Sequence, residues 1–274
     1  MAIFRSLYTR PGPGVSKSEP KKKGVKRFFE LVSLAFWDLI KLNLLFTLFI
    51  SPSAALFSLG ALGYVGVYAY PLSVMAAFPV GGAVASCMFC VAKLLRGEPG
   101  YLLYDFWRKL RENALQAAIP GMLYVAFIYM CLYIWASMFF GSMASGYGTV
   151  TLLLVSAAFV DMISPYVFTQ IAHLELKNPA IIKNSVLLAI KNAPKSFCGM
   201  MMGRVIWIVS LILFPLSLWW APLLLLLGFM LSWLLNLMWI WPGMDSVFAI
   251  SESIEKGRAL SMGGVRTLFS SVEP

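Results

Sequence analysis

The sequence predicts an all-α, polytopic membrane protein with six transmembrane helices arranged as three hairpins. Hydrophobic residues make up 60% of the 274 residues and charged residues only 12%, with a mean hydropathy of +0.80. Soluble domains are about half apolar and about a quarter charged. Ionisable acidic and basic side chains are absent from three stretches, 42–92, 114–160 and 205–244. One crossing needs about 20 residues, so each of these stretches predicts two crossings.

The distribution of basic residues predicts the orientation of the chain. Residues 1–41, 93–112 and 161–204 carry 9, 5 and 5 basic residues against 3, 3 and 2 acidic ones. Basic residues in short loops stay on the cytoplasmic side of a membrane. We therefore expect a multi-pass membrane protein with both termini in the cytoplasm. The net charge of +10 follows from this bias beside an anionic leaflet, so lipids and not nucleic acid are the expected charged partners.

Three regions are expected along the chain. Residues 1–24 contain Pro-Gly-Pro-Gly and three consecutive lysines, which indicates a flexible, basic cytoplasmic tail. Residues 25–244 form the predicted membrane domain, and residues 245–274 a cytoplasmic C-terminal tail of mixed charge. The crossings are predicted at about 42–58, 74–95, 114–140, 149–172, 199–220 and 223–241. Pro242 and Gly243 are expected to end the last one.

Amphipathic segments on the cytoplasmic side precede the hairpins. FWDLIKLN (36–43) and DFWRKLREN (105–113) share Phe-Trp, a basic residue four positions after the Trp, and a final Asn. Both are predicted to lie on the membrane surface, and Asp105 is expected to cap the second helix. A third such helix is predicted within 176–197, with its lysines along one face. The candidate partner-interface residues are Trp37, Lys41, Asp105, Trp107, Arg108, Arg111, Asn113, Lys183, Lys191 and Lys195.

Asp161 is the most informative single residue, because it lies well inside the predicted fourth crossing. A carboxylate in a membrane helix is costly and indicates a functional site by default. Two structural alternatives compete with a role in proton or substrate binding. The helix could be shifted so that Asp161 lies near its inner end, or Asp161 could pair with Arg204.

The residues offer few candidates for catalysis, metal binding or cofactor binding. The only histidine is His173, and the chain has no phosphate-binding Gly-x-x-x-x-Gly-Lys-Ser/Thr, HExxH or GxSxG motif. Cys87 and Cys90 form a nominal CxxC pair inside a predicted helix, where we interpret them as packing residues; redox or metal chemistry is the alternative. We therefore predict no catalytic residues, no metal, no cofactor and a non-enzymatic role.

Several segments carry a resemblance to a known family. They are FFEL and FWDLIKLNLLF within 28–46, KLLRGEP (93–99), DFWRKLRENALQAAIPG (105–121), PYVFTQIAHLE (165–175) and KNSVLLAIKN (183–192). Together they resemble the YesL family, bacterial membrane proteins of unknown molecular function. The resemblance implies a Gram-positive source, and hence a location in a bacterial plasma membrane. It also implies a genetic setting beside sugar-binding proteins, ABC permeases and two-component regulators. It carries over no catalytic residue.

Three functions remain open at this point. The first is a non-catalytic accessory subunit of a bacterial carbohydrate ABC import system that docks through its cytoplasmic amphipathic helices. ABC permease subunits and a sugar-binding protein are the partners expected for this function. The second is a small transporter or proton-coupled carrier that uses Asp161. The third is a membrane sensor or scaffold for a histidine kinase of a two-component system.

Overall fold

The fold is helical and is built from long apolar helices. The structure, a computed structural model, describes residues 24–66, 68–98, 100–139, 146–213, 224–254 and 256. These residues are helical almost throughout and contain no β-strand. Five helical segments among them are long and apolar enough to cross a membrane, which confirms the all-α membrane class. They are Phe36–Ala61, Ala69–Arg96, Leu102–Met138, Tyr147–His173 and Leu226–Phe248.

The helices follow one another with short connections. In chain order the described α-helices are α1 (Val25–Leu34), α2 (Phe36–Ala61), α3 (Ala69–Ala76), α4 (Phe78–Arg96), α5 (Leu102–Phe139), α6 (Tyr147–His173), α7 (Asn178–Lys191), α8 (Ala193–Leu213) and α9 (Phe229–Phe248). A π-helical segment, Leu224–Gly228, leads directly into α9. Helix α8 covers the first part of the predicted fifth crossing and is not among the five candidate spans, and residues 214–220 of that crossing lie outside the described residues.

Helix α4 is the centre of the bundle. From Val80 to Lys93 every side chain except that of Phe89 is buried, and α2, α5, α6 and α9 all pack against it. Its small residues allow close approach. A Cβ on Gly81 would lie 2.9 Å from the Cα of Gly121 on α5, so the two backbones touch there. Small residues at helix contacts are the usual means of tight packing between membrane helices.

The two ends of the bundle differ in chemistry. Arg96 at the end of α4 contacts His173 at the end of α6 and lies over the ring of Trp241 on α9; we call this the charged end. At the opposite, uncharged end, Phe57 of α2 stacks on Tyr129 of α5 with ring centroids 4.2 Å apart. The Ser53 and Tyr129 hydroxyls are hydrogen-bonded at 2.8 Å. Successive long helices along the chain, α2, α4, α5 and α6, therefore run in alternating directions.

A buried asparagine holds the start of α9. The Oδ1 of Asn43 on α2 accepts a hydrogen bond from the backbone N–H of Met230 at 3.0 Å. Met230 follows the π-helical segment, and π-helical turns disturb the regular helical hydrogen-bond ladder. Asn43 is fully buried, so this side chain ties α2 to α9 at the point where the ladder changes.

The segment 105–113 is not a separate surface helix, and that prediction was wrong. It forms the first turns of α5, which continues without a break to Phe139. No proline or glycine separates Asn113 from the apolar run that follows, so nothing stops the helix there. Asp105 is also not the cap, because α5 begins at Leu102; its carboxylate pairs with Lys93 and Arg108 instead.

Four proline residues lie in the interior of the described helices: Pro52, Pro120, Pro165 and Pro242. Pro52 lies within α2. Helix α9 continues through Pro242 and Gly243 to Phe248, so the prediction that Pro242 and Gly243 end the last crossing was wrong. Membrane helices tolerate proline because neighbouring groups satisfy the freed carbonyls. Helix α9 ends instead at Ala249, which adopts the left-handed conformation with φ 48°.

The segment 36–43 is not a separate surface helix either, and that prediction was wrong, because it forms the first turns of α2. Helix α7 agrees with the amphipathic helix predicted within 176–197, although Lys195 lies beyond its end, in α8. Helix α7 buries Ile181, Ser185, Leu188 and Ala189 against the bundle. Its outward side carries Lys183 and Lys191 beside exposed Leu187 and Ile190. A face that mixes lysines with large apolar residues is typical of a helix at a membrane interface.

Several predictions concern parts of the chain outside the described residues. These are the basic tail up to residue 23, the turn at 140–145, residues 214–223 between the last two predicted crossings, and residues 257–274 of the C-terminal tail.

Candidate functional site

The candidate site is built around Asp161, near the middle of α6. The guanidinium of Arg204 on α8 donates from Nη2 to the Oδ1 of Asp161. The hydroxyl of Tyr124 on α5 donates to the same oxygen at 3.2 Å. Three helices thus meet at one carboxylate oxygen. The predicted alternative in which Asp161 pairs with Arg204 is confirmed.

The ion pair is not fully enclosed. The side chain of Arg204 is 40% exposed and that of Asp161 is 19% exposed. Arg204 and Tyr124 both donate to Oδ1 of Asp161. Arg204 therefore does not bind the carboxylate through two parallel hydrogen bonds, which is the strongest arrangement available to an arginine. The guanidinium has five N–H donors in all. It therefore keeps donor capacity beyond its contacts with Asp161 and Tyr124.

Close packing of α8 on α9 fixes the backbone beside Arg204. A Cβ on Gly203 would lie 3.0 Å from the backbone oxygen of Ser232, and the Ser232 hydroxyl donates to the Gly203 carbonyl at 2.7 Å. One turn earlier, a Cβ on Gly199 would lie 3.1 Å from the backbone oxygen of Asn236. The Gly-x-x-x-Gly pattern of α8 is therefore a helix contact, and it determines where Arg204 points.

Asp161, Arg204 and Tyr124 line a cavity of about 430 Å³ between α2, α4, α5, α6, α8 and α9. This is within the usual size range of small-molecule sites, about 300–1,000 Å³. Asp161 and Arg204 are the only charged side chains in its described lining, so the cavity is electrically neutral. The other polar lining residues are Tyr129, Ser164, Ser232 and Asn236.

Aromatic rings form one wall of this cavity. Trp207, one turn after Arg204 on α8, lies 4.8 Å from Phe229 between ring centroids. The rings of Phe229 and Trp233 both contact Phe46 of α2, at 4.7 and 4.8 Å. A mostly apolar wall with a few convergent polar groups is the usual composition of a small-molecule site.

The cavity lies in the half of the bundle nearer the uncharged end. On α9 it is lined by Phe229, Ser232, Trp233 and Asn236, all in the first half of the helix. Beyond it, toward the charged end, Leu237 and Ile240 are buried in the core. The packed half of the bundle therefore separates the cavity from the charged end.

Two ion-pair clusters close the charged end. In the first, Asp105 is buried and pairs with Lys93 through Oδ2 and with Arg108 through Oδ1, the latter at 3.0 Å. Because Lys93 belongs to α4 and Asp105 to α5, this cluster holds the two helices together. Its carboxylate is saturated by cations and is not open to a ligand.

The second cluster surrounds His173. Its Nδ1–H donates to the carbonyl of Thr169 at 2.9 Å, which leaves Nε2 as an acceptor for the Arg96 guanidinium at 3.2 Å. Arg96 also pairs with Glu98 at 2.5 Å and lies 5.1 Å above the ring of Trp241. These contacts join the ends of α4, α6 and α9 around His173.

The predicted partner-interface residues fall into two groups. Asp105 and Asn113 are buried, with exposed fractions of 5% and 8%, and so do not contribute to an exposed surface. The others are exposed at the charged end: Trp37, Lys41, Trp107, Arg108, Arg111, Lys183, Lys191 and Lys195. Sequence reasoning had taken the whole of 105–113 as surface because it is rich in charge.

Two of the cysteines lie in the central helix of the bundle. Cys87 and Cys90 are buried in α4 as free thiols, and the Cys90 thiol donates to the carbonyl of Leu102 at 3.3 Å. Within the described part of the chain, no three His, Cys, Asp or Glu side chains are grouped closely enough to hold a metal ion.

Comparison with known proteins adds no relative. No protein-family model, curated protein or solved structure matches the chain. The functional argument therefore depends on the residues of this chain.

Proposed function

We propose that the protein is a small carrier of a bacterial plasma membrane that binds its solute in the cavity around Asp161 and Arg204. The single observation that carries the proposal is a charged pair lining an aromatic-walled cavity inside a membrane bundle. The carrier has six crossings in three hairpins, with α8 as the fifth. Its charged end, and with it both termini, faces the cytoplasm, in accordance with the positive-inside rule.

A purely structural role explains the pair less well than solute binding. An apolar pair of similar volume usually stabilises a buried site as well as an ion pair does, or better. Charges inside membrane proteins mark substrate or ion pathways more often than packing contacts. Here the two charges also lie at the wall of a cavity instead of filling it, so a solute can reach them.

Uptake into proteoliposomes tests this function. The reconstituted full-length protein is given labelled sugars, polyols, amino acids and organic acids under an imposed proton gradient, acid outside. We expect one chemical class to accumulate, and Asp161→Asn to reduce its accumulation to the level of empty vesicles. Asn keeps an oxygen that can accept from Tyr124 and Arg204, so the variant is expected to fold.

The matched control is Asp38→Asn, which makes the same change in an exposed pair with Lys41 at 3.4 Å. It is expected to leave accumulation unchanged. Equal accumulation by Asp161→Asn and the wild type would contradict the proposal, as would the failure of every solute class to accumulate with folded protein.

The second candidate function is a non-catalytic accessory subunit of a carbohydrate ABC importer. The observation that favours it is the exposed surface at the charged end, where Lys183 and Lys191 lie beside Leu187 and Ile190, 55% and 60% exposed. A surface of basic and large apolar residues suits either a cytoplasmic partner or the lipid interface. The resemblance to the YesL family supports an ABC permease, which works with a sugar-binding protein, as that partner.

Charge reversal on this surface distinguishes a cytoplasmic protein partner from the lipid interface. We expect Lys183→Glu, Lys191→Glu and Lys195→Glu together to abolish copurification of permease subunits in mild detergent. The three glutamates would repel the permease surface that binds the lysines. The protein itself should keep its thermal stability, since all three lysines are exposed. Lys256→Glu, at another exposed position, is the control. Unchanged copurification would remove this candidate, and a histidine kinase as the copurifying chain would favour the sensor or scaffold role instead.

A further inference from the structure

We propose, on the basis of the carrier function above, that the solute is a small organic carboxylate and that it enters the cavity together with one proton. Arg204 is then the residue that binds the solute carboxylate. Asp161 is an internal counter-ion that releases Arg204 from the ion pair when Asp161 becomes protonated. The cavity stays electrically neutral in both states.

The geometry of Arg204 supports its role as the anion-binding residue. Its guanidinium is the only cationic group in the described lining of the cavity, and it keeps unused donor capacity beside a partly exposed pair. The planar guanidinium matches a carboxylate through two parallel hydrogen bonds, an arrangement that Asp161 does not use. A solute carboxylate could therefore bind Arg204 better than the resident partner does.

Charge balance explains why a proton has to accompany the anion. With Asp161 ionised, adding a carboxylate gives the cavity a net charge of −1, and unpaired charge inside a membrane protein is strongly unfavourable. Protonation of Asp161 restores neutrality: the proton binds the carboxylate of Asp161, the ion pair opens, and the solute carboxylate replaces it on Arg204.

The surroundings of Asp161 contain few other groups that could take the proton. Arg204 on α8 stays cationic throughout. On α5, Tyr124 donates a hydrogen bond to Asp161, and Cys131 interacts with it electrostatically. Helices α2, α4 and α9 contribute no charged side chain to the described lining of the cavity. Asp161 is therefore the group that binds the proton.

The aromatic wall favours a carboxylate with an organic body over a bare inorganic anion. Trp207 lies one turn from Arg204 and packs against Phe229. A solute held at Arg204 would rest its carbon skeleton against these rings. The hydroxyls of Ser164 and Ser232 line the same cavity, so hydroxyl groups on that skeleton can find partners.

Calorimetric titration of the full-length protein in lipid nanodiscs tests the inference. The probes are gluconate and sorbitol, which share a linear polyol skeleton and differ by the carboxylate. Titration in two buffers of different ionisation enthalpy gives the number of protons taken up on binding. We expect gluconate to bind with uptake of about one proton per molecule, and sorbitol to bind at least about tenfold more weakly.

Two variants assign the roles. Asp161→Asn should still bind gluconate but without proton uptake, because the cavity already has an unopposed Arg204. Asp161→Asn combined with Arg204→Gln keeps the cavity neutral and should bind gluconate no better than sorbitol.

Binding of sorbitol as tight as that of gluconate would overturn the inference, and so would gluconate binding without proton uptake. Accumulation of neutral solutes alone in the proteoliposome assay would likewise overturn the inference while leaving the carrier function intact. If no solute of any class accumulates or binds, the carrier function itself is rejected, and the inference is rejected with it.

Discussion

Arg204→Gln is expected to lower the free energy of unfolding by about 3 kcal/mol, because it leaves the Asp161 carboxylate without its counter-charge inside the bundle. Tyr124 would still donate to Asp161 at 3.2 Å, but one neutral hydrogen bond does not replace a cation. The carboxylate is only 19% exposed, so water can stabilise it only in part. The midpoint and enthalpy of thermal unfolding in a fixed detergent measure the loss.

The double variant Asp161→Asn with Arg204→Gln separates charge from packing. Two neutral amides leave no unpaired charge in the bundle, so we expect the stability of the double variant to return to within about 1 kcal/mol of the wild type. If the double variant is as unstable as Arg204→Gln alone, the loss comes from altered packing, and the account of the pair is wrong.

Gly81→Leu is expected to prevent stable packing of α4 on α5, at a cost of about 3 kcal/mol or more. The Cβ of any residue there would meet the backbone of α5 at Ala117 and Gly121, and a backbone inside a packed bundle cannot move aside as a flexible side chain can. Because α4 is the central helix, the damage should reach the whole bundle. The expected result is a large loss of monodisperse protein in size-exclusion chromatography and a lower unfolding midpoint.

The matched control is Gly66→Leu, at a position where an added Cβ has no neighbour within 4 Å. It should leave both measurements unchanged. Gly82→Ala is expected to fall between the two, because its Cβ would lie 3.1 Å from a movable Leu110 methyl group and 3.2 Å from the Cα of Ala114, both longer than the contacts at Gly81. Wild-type behaviour of Gly81→Leu would show that α4 and α5 do not touch as described.

The membrane class and the Asp161–Arg204 pair could be predicted from the sequence for simple physical reasons. Long stretches without charge have few alternatives to membrane helices. Within such stretches a carboxylate needs a cation, and Arg204, near the start of a neighbouring apolar run, was an available partner. Burying an unpaired charge in lipid is so costly that the few charged residues near apolar stretches are expected to pair with one another.

The third member of the site and the aromatic wall could not be predicted in this way. Tyr124, Trp207 and Trp233 are apolar or aromatic residues in runs of similar residues. In lipid the outward and inward faces of a helix are both apolar, so hydrophobic periodicity does not indicate which face packs. Only the packing of α5, α8 and α9 brings these rings to Asp161.

The segment 105–113 shows the opposite difficulty. Its charges suggested a surface helix, but Asp105 is buried because Lys93, twelve residues earlier on α4, satisfies it. A charged residue is expected at the surface unless an oppositely charged partner is buried beside it. The partner here belongs to another helix, and no local pattern within 105–113 indicates it.

The central claim is that a solute binds at Asp161 and Arg204 inside the cavity. The most direct test measures thermal unfolding of the wild type and of the double variant Asp161→Asn with Arg204→Gln across one set of small solutes. The account predicts that at least one solute raises the unfolding midpoint of the wild type by a few degrees and leaves the double variant unchanged. A solute that stabilises both proteins equally would place binding elsewhere and would contradict the claim.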